Sequence, residues 1–155
     1  MELTDLIGPD HVIDGVAATD KPELLNALAL RAAKAIGIDA ETVVGALSAR
    51  EKLGSTGVGD GIAVPHARIP GLKRFFGLFA RLARSIDFAA VDGKPVDLVF
   101  LLLIPDGAEG AHLGLLAAVS RQLRNREIAR MLRAAGDKDA LCRALIGKAH
   151  TSPSV

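Results

Sequence analysis

The sequence predicts an α/β fold in a single domain, on three observations. The run Val96-Asp97-Leu98-Val99-Phe100-Leu101-Leu102-Leu103-Ile104 is β-favouring and almost wholly apolar, as in a strand buried on both faces of a sheet. Apolar residues recur at helical spacing before and after it, along Leu24–Ile36 and along Ala111–Leu123. The chain has 155 residues, half of them hydrophobic, with no linker and no internal repeat, which suits one core.

The elements follow in order. Leu3–Ile7 reads as a helical turn stopped by Gly8-Pro9, and Val12-Ile13 with Val16-Ala17 as a short strand. Thr19 or Asp20 caps a helix with Pro22 in its first turn; Leu24, Leu25, Leu28, Ala32, Ala35 and Ile36 carry its apolar face, and Gly37 ends it. Asp39 caps a second helix, Ala40 to about Arg50, with Val43, Val44 and Leu47 inward. A glycine-rich loop runs into Ile62-Ala63-Val64, a short strand entering the core. Phe75–Ala83, with Arg81 inside it, reads as a strand, a helix being the alternative, and Asp92-Gly93-Lys94-Pro95 as the turn before the buried strand. After it, the Ala111–Leu123 pattern places Leu113, Leu116, Val119 and Leu123 inward. Short helices follow over Glu127–Leu132 and from Asp137. Residues 1–149 are expected to form the domain and 150–155 a disordered tail.

Composition excludes several functions. Net charge is +1, from 19 basic and 18 acidic residues, and there is no Tyr or Trp. Nucleic-acid binders ordinarily show a basic excess or aromatic stacking faces, so no nucleic-acid partner is expected. Arg121, Arg124, Arg126, Arg130 and Arg133, interrupted by Glu127, read as a solvated helix face. Cys142 is the single cysteine, which leaves no internal disulfide and no cysteine-based metal site. No signal-peptide pattern opens the chain, and its longest apolar run is far short of the ~20 residues a membrane helix needs. A cytoplasmic protein with no membrane insertion is expected.

The chemistry-bearing stretch is Gly54-Ser55-Thr56-Gly57-Val58-Gly59-Asp60-Gly61-Ile62-Ala63-Val64-Pro65-His66. Pro65 fixes its own φ and holds Val64 extended, so His66 is presented stiffly beside N–H-rich backbone, which suits an anion such as phosphate. Known nucleotide motifs fail: Asp60 stands where a P-loop needs lysine, and Ile62 stands at the third glycine of a dinucleotide fingerprint. His11, His66, His112 and His150 are too scattered for a metal motif, and no Gly-x-Ser-x-Gly elbow exists. One chemistry is left, His66 as a nucleophile taking a phosphoryl group on a ring nitrogen. Its helpers would be Arg50, His112 near a helix start, and the loop, with Ser55, Thr56, Gly59 and Gly61 as phosphate-binding candidates. The residues alone also admit a structural His66 and glycines that serve only as turns. No cofactor is implied.

The stretch Arg50–His66 resembles the signature of the fructose/mannitol type of enzyme IIA domain, from the bacterial phosphoenolpyruvate-dependent phosphotransferase system. Within it the nitrogen-regulatory branch is most similar. Ile86-Asp87-Phe88, Val91-Asp92-Gly93-Lys94-Pro95-Val96-Asp97-Leu98 and Ala111-His112-Leu113 with Leu115-Leu116 also resemble that family, so the likeness spans roughly Leu3 to Ile146. It implies a mixed β-sheet flanked by helices on both faces. It implies phosphorylation of His66 through Nε2, with His112 as second active-site histidine and Arg50 as supporting cation. The donor would be the HPr-like carrier NPr, and the output regulation of cytosolic or membrane-associated proteins by phosphorylation state. A sugar-specific enzyme IIA serving a separate IIB, and a docking module never phosphorylated, are the alternatives. Asp60 departs from the asparagine of many relatives; its carboxylate would lie near the phosphate or pair with Arg68.

Overall fold

The apolar run at 96–104 becomes the strand on which the sheet is built. In the computed structural model, which describes residues 3–108 and 110–146, strand β6 covers Val96–Pro105. Its side chains alternate between two cores: Leu98, Phe100, Leu102 and Ile104 face one, Val99, Leu101 and Leu103 the other. That two-sided burial explains why the run shows no polar alternation.

The other strands are β1 (Val12–Val16), β2 (Gly57–Gly59), β3 (Ile62–Ala63), β4 (His66–Ile69) and β5 (Phe76–Ile86). The sheet is mixed, in the order β1-β5-β6-β3-β2, with β4 also paired to β6. β5 runs antiparallel to β6; β3 and β4 run parallel to it, in line with each other along one edge. Helices α1 (Lys21–Ile36) and α2 (Ala40–Lys52) cover one face, and α3 (Ala111–Arg124), α4 (Arg126–Ala134) and α5 (Lys138–Ile146) the other. The helix starts are where the sequence predicts them. Asp20 accepts from the Glu23 N–H at 2.9 Å, and Asp39 from the Thr42 N–H at 3.2 Å. Residues 150–155 lie outside the described residues.

Two expectations need correction, and the strand reading through Arg81 holds. Leu113 is 64% exposed, and α3 instead buries Leu115, Val119 and Leu123. At about 100° per residue, a stripe through Leu115 and Val119 leaves Leu113 on the far side of the helix. Arg81 is accommodated in β5 by Asp14 on β1, which accepts from it twice at 2.8 Å, and by the carbonyls of Leu132 and Ala135, each at 2.8 Å. The arginines at 121–133 are more than a solvated face. Arg133 grips Asp97 at 2.9 Å, and the Asp60 carboxylate lies 3.7 Å from Arg124.

The glycine-rich stretch folds into a β-hairpin. β2 and β3 pair antiparallel across Asp60-Gly61, whose φ angles of 59° and 81° suit the mirror-image turn that Asp-Gly favours. Asparagine fills the same position equally well, which is a conformational reason for either residue at 60. Gly57 serves close packing: a Cβ there would sit 2.7 Å from the Ala90 Cβ and 2.9 Å from its Cα.

Candidate functional site

The site is set by the break between β3 and β4. Ile62 and Ala63 pair with Leu98 and Val99, and the ladder resumes at His66 opposite Leu102. Val64-Pro65 bridges the gap. Its backbone stays anchored, since the Val64 N–H donates to the Thr56 carbonyl at 2.9 Å and the Leu102 N–H donates to the Pro65 carbonyl at 2.9 Å. His66 is therefore held by main chain on both sides, as the Pro-His dipeptide predicts.

The imidazole is half-buried, and both ring nitrogens are engaged. Nδ1 lies 2.8 Å from the Val64 carbonyl oxygen. A carbonyl can only accept, so Nδ1 carries the proton and Nε2 the lone pair. The second contact agrees: Arg50 Nε–H donates to His66 Nε2 at 3.3 Å. Arg50 stands in the last turn of α2 and is steadied by a 2.8 Å bond from its Nη1 to the Gly54 carbonyl. Two independent partners thus select one tautomer.

Burial holds the His66 ring below the ordinary histidine value of 6.5; the charges of Arg50 and His112 push the same way, while the Val64 carbonyl and Glu51 oppose them. The ring is neutral at neutral pH, and its Nε2 lone pair can act as a nucleophile once Arg50 turns away from it. The sign of the linkage is fixed by that direction. Above 6.5 both folded and unfolded forms are neutral and the contribution to stability is fully present. As pH falls through the lowered folded value the unfolded chain has already taken its proton, and the contribution is lost. In an NMR titration His66 should show a midpoint below 6.5, with the proton on Nδ1 on the alkaline side. A midpoint at or above that value, or an Nε2–H tautomer, would overturn this assignment.

His112 is the second residue of α3, half-buried, with Nδ1 at 3.5 Å from the Ala108 carbonyl oxygen, and its charge is among those acting on His66. So the three predicted catalytic residues converge: Arg50 in contact with His66, His112 through its field. The four phosphate-binding candidates do not. Ser55 Oγ donates to the Phe88 carbonyl at 2.9 Å and accepts from the Gly57 N–H at 3.0 Å. Thr56 is 4% exposed, and both its N–H and its hydroxyl donate to the Glu51 carboxylate. Gly59 and Gly61 sit at the other end of the hairpin. The Gly61 carbonyl accepts from the Leu98 N–H, whereas His66 pairs with Leu102, roughly 13 Å further along β6 at a strand's rise.

Sequence reasoning missed Glu51. Its side chain is 6% exposed, takes Lys21 Nζ at 2.9 Å and bonds Thr56, which in turn holds Val64. Arg50 turns to His66 and the Gly54 carbonyl, while Glu51 turns to Lys21 and Thr56. The Lys21–Glu51 pair spans two helices, and no local spacing announces it. Among the described residues no group of three or more His, Cys, Asp or Glu could hold a metal ion. No helix among them is long and apolar enough to cross a membrane.

Residues 5–148 match the family described as phosphoenolpyruvate-dependent sugar phosphotransferase system, EIIA 2. The chain belongs to the type-2 enzyme IIA family. As an enzyme IIA it is 48% identical over 141 residues to the nitrogen regulatory protein of Bradyrhizobium diazoefficiens, covering 91% of this chain and 92% of that one. It is 36% identical over 147 residues to the nitrogen regulatory protein of Pseudomonas aeruginosa, covering 94% and 96%. The crystal structure of nitrogen regulatory protein IIA-Ntr from Neisseria meningitidis superposes with a TM-score of 0.86 at 33% identity, covering 91% of this chain and 97% of that one. The crystal structure of IIA mannitol from Escherichia coli shares the fold, with a TM-score of 0.74 at 22% identity over 90% of this enzyme IIA and 98% of that chain. Enzyme IIA chemistry is phosphotransfer through a phosphohistidine.

Proposed function

We propose that this enzyme IIA accepts a phosphoryl group on Nε2 of His66 from an HPr-like phosphocarrier, NPr, in the cytoplasm, and that its phosphorylation state regulates partner proteins. The observation that carries the reading is the tautomer: the Val64 carbonyl takes the Nδ1 proton, leaving the Nε2 lone pair beside Arg50. The lone pair attacks the donor phosphorus, the donor's N–P bond breaks, and its electron pair returns to the donor imidazole. Positive charge develops on the His66 ring as the new N–P bond forms, and the Nδ1–H to Val64 bond stabilises it. Arg50 Nε–H, released from the lone pair, turns to a phosphoryl oxygen, and His112 adds charge or a hydrogen bond from the α3 side. The likeness to nitrogen regulatory proteins supports the regulatory branch over a sugar-specific role.

Incubation of the protein with enzyme I, NPr and phosphoenolpyruvate should yield an acid-labile, alkali-stable adduct. No adduct would refute phosphotransfer and leave the docking module. Efficient passage from the labelled protein to a purified enzyme IIB would assign the sugar role instead. His112→Ala should fold normally and label on the order of tenfold more slowly, in keeping with the loss of one charged contact. An unchanged rate would take His112 out of the site.

A further inference from the structure

The arginines at 124–133 line a cleft that the His66 chemistry does not use. It has a volume of about 640 Å³ and opens between the β2–β3 turn, the loop before β6, and the α3–α4 corner. Five cations line it, Lys94, Arg124, Arg126, Arg130 and Arg133, against two carboxylates, Asp60 and Asp97. The whole chain carries only +1, so this end of the molecule concentrates positive charge.

The carboxylates do not neutralise the cleft. Asp97 is committed to Arg133, accepting from its Nε and Nη2 at 2.9 Å each, and Arg133 Nη2 also donates to the Asp60 carbonyl at 2.8 Å. That locks the Arg133 guanidinium against the hairpin turn, where a Cβ on Gly61 would come within 2.6 Å of its Nη2. The Asp60 carboxylate lies 3.7 Å from Arg124, and both side chains are more than half exposed, so a stronger anion can displace it. Asp92, at the margin, accepts from the backbone N–H groups of Asp60 and Lys94 at 3.0 and 3.1 Å. Arg130 pairs with the exposed Glu127 of its own helix. The Lys94 ammonium and the Arg126 guanidinium make no hydrogen bond or ion pair among the described residues. Beneath these groups lie the buried apolar side chains of Ile62 and Ala129.

Guanidinium forks converging from two helices on a concave, partly apolar floor recognise phosphate oxygens better than they suit a flat protein surface. The volume lies in the range of small-molecule sites, ~300–1,000 Å³. We infer that this cleft binds a phosphate-bearing small anion of nucleotide size, its phosphates on Arg126, Arg130 and Lys94 and its remaining part on Ile62 and Ala129. The cleft lies beyond the far end of β3 from His66, so it can be filled while His66 exchanges its phosphoryl group.

Calorimetric titration of the full chain with ATP and with tripolyphosphate, at low salt, tests this. ATP should bind once per chain, and its affinity should fall with added salt. ATP binding tighter than tripolyphosphate assigns the apolar floor to the base and sugar; equal affinities assign the site to the phosphates alone. Arg126→Gln/Arg130→Gln changes two exposed residues and should weaken binding at least about tenfold, since each charged hydrogen bond is worth roughly that factor. It should leave the circular dichroism spectrum and His66 labelling as in wild type. The proposal is overturned by no heat with either phosphate at millimolar concentration, by unaltered affinity in the double variant, or by binding of a polyglutamate peptide in place of both phosphates. Binding lost in His66→Ala but kept in the double variant would put the anion at His66 and likewise refute the cleft.

Discussion

Alanine in place of His66 should abolish phosphoryl acceptance while the protein keeps its fold. No other side chain among the described residues is prepared to substitute. His11 holds its Nδ1 2.8 Å from the Gly77 carbonyl oxygen and packs beside Phe76 with ring centroids 5.0 Å apart, a structural role. His112 lacks an arginine on its free nitrogen. Burial pushes the Cys142 thiol above its ordinary value, so little thiolate forms at neutral pH. Labelling should therefore drop to background and not to a slower rate. The ring is half-buried, but its loss leaves the carbonyl of buried Val64 without its donor, so stability should fall by about 1–2 kcal/mol, too little to unfold the domain. A fully folded variant that still acquires an acid-labile phosphate would move the chemistry off His66.

Methionine in place of Lys21 should be the most damaging single change to the scaffold around the site. Glu51 keeps 6% of its side chain exposed and Lys21 20%, with 2.9 Å between Nζ and Oε1. The ammonium also lies 4.5 Å above the Phe88 ring. Removing the cation strands a carboxylate whose remaining partner is Thr56. Breaking a buried pair in this way costs ~3–5 kcal/mol when both groups are dry, and Lys21's partial exposure brings the expectation to about 2–3 kcal/mol. For a chain of this size that lowers Tm by roughly 5–10 °C in a thermal melt. The double variant Lys21→Met/Glu51→Gln should recover most of the loss, because the stranded charge is gone. A single variant that melts with wild type would show that the pair is structurally idle. Since Thr56 also holds the Val64 N–H, the damage should reach His66 as slower labelling.

Where a feature depends on neighbours in sequence, it was legible. The caps at Asp20 and Asp39, the two-faced burial of β6 and the stiff presentation of His66 after Pro65 are all local, and the structure has each. Arg50 was within reach for the same reason, being one helical segment upstream of the loop. What stayed hidden depends on non-local register. Leucines at 113, 115 and 116 offer two helical stripes, and only the docking of α3 on the sheet chooses between them. Asp60 had several cations available, and the folded corner brings Arg124. Lys21 and Glu51 meet because α1 and α2 pack side by side, and four arginines with Lys94 become a cleft only when the β2–β3 turn closes its other wall. The glycines misled for a related reason: N–H-rich backbone and a tight hairpin with one close crossing call for the same residue.

The group that places the proton on His66 is a main-chain carbonyl, and this bears on how the site can drift. Every amino acid at position 64 that keeps an extended backbone presents the same oxygen. Substitutions there can retune the packing of the inner face without disturbing the tautomer. The vulnerable position is the next one, where losing Pro65 would free the backbone that aims both the oxygen and the ring. Families of such chains can therefore vary freely around the nucleophile's orienting group, while its reactivity is inherited through the path of the backbone.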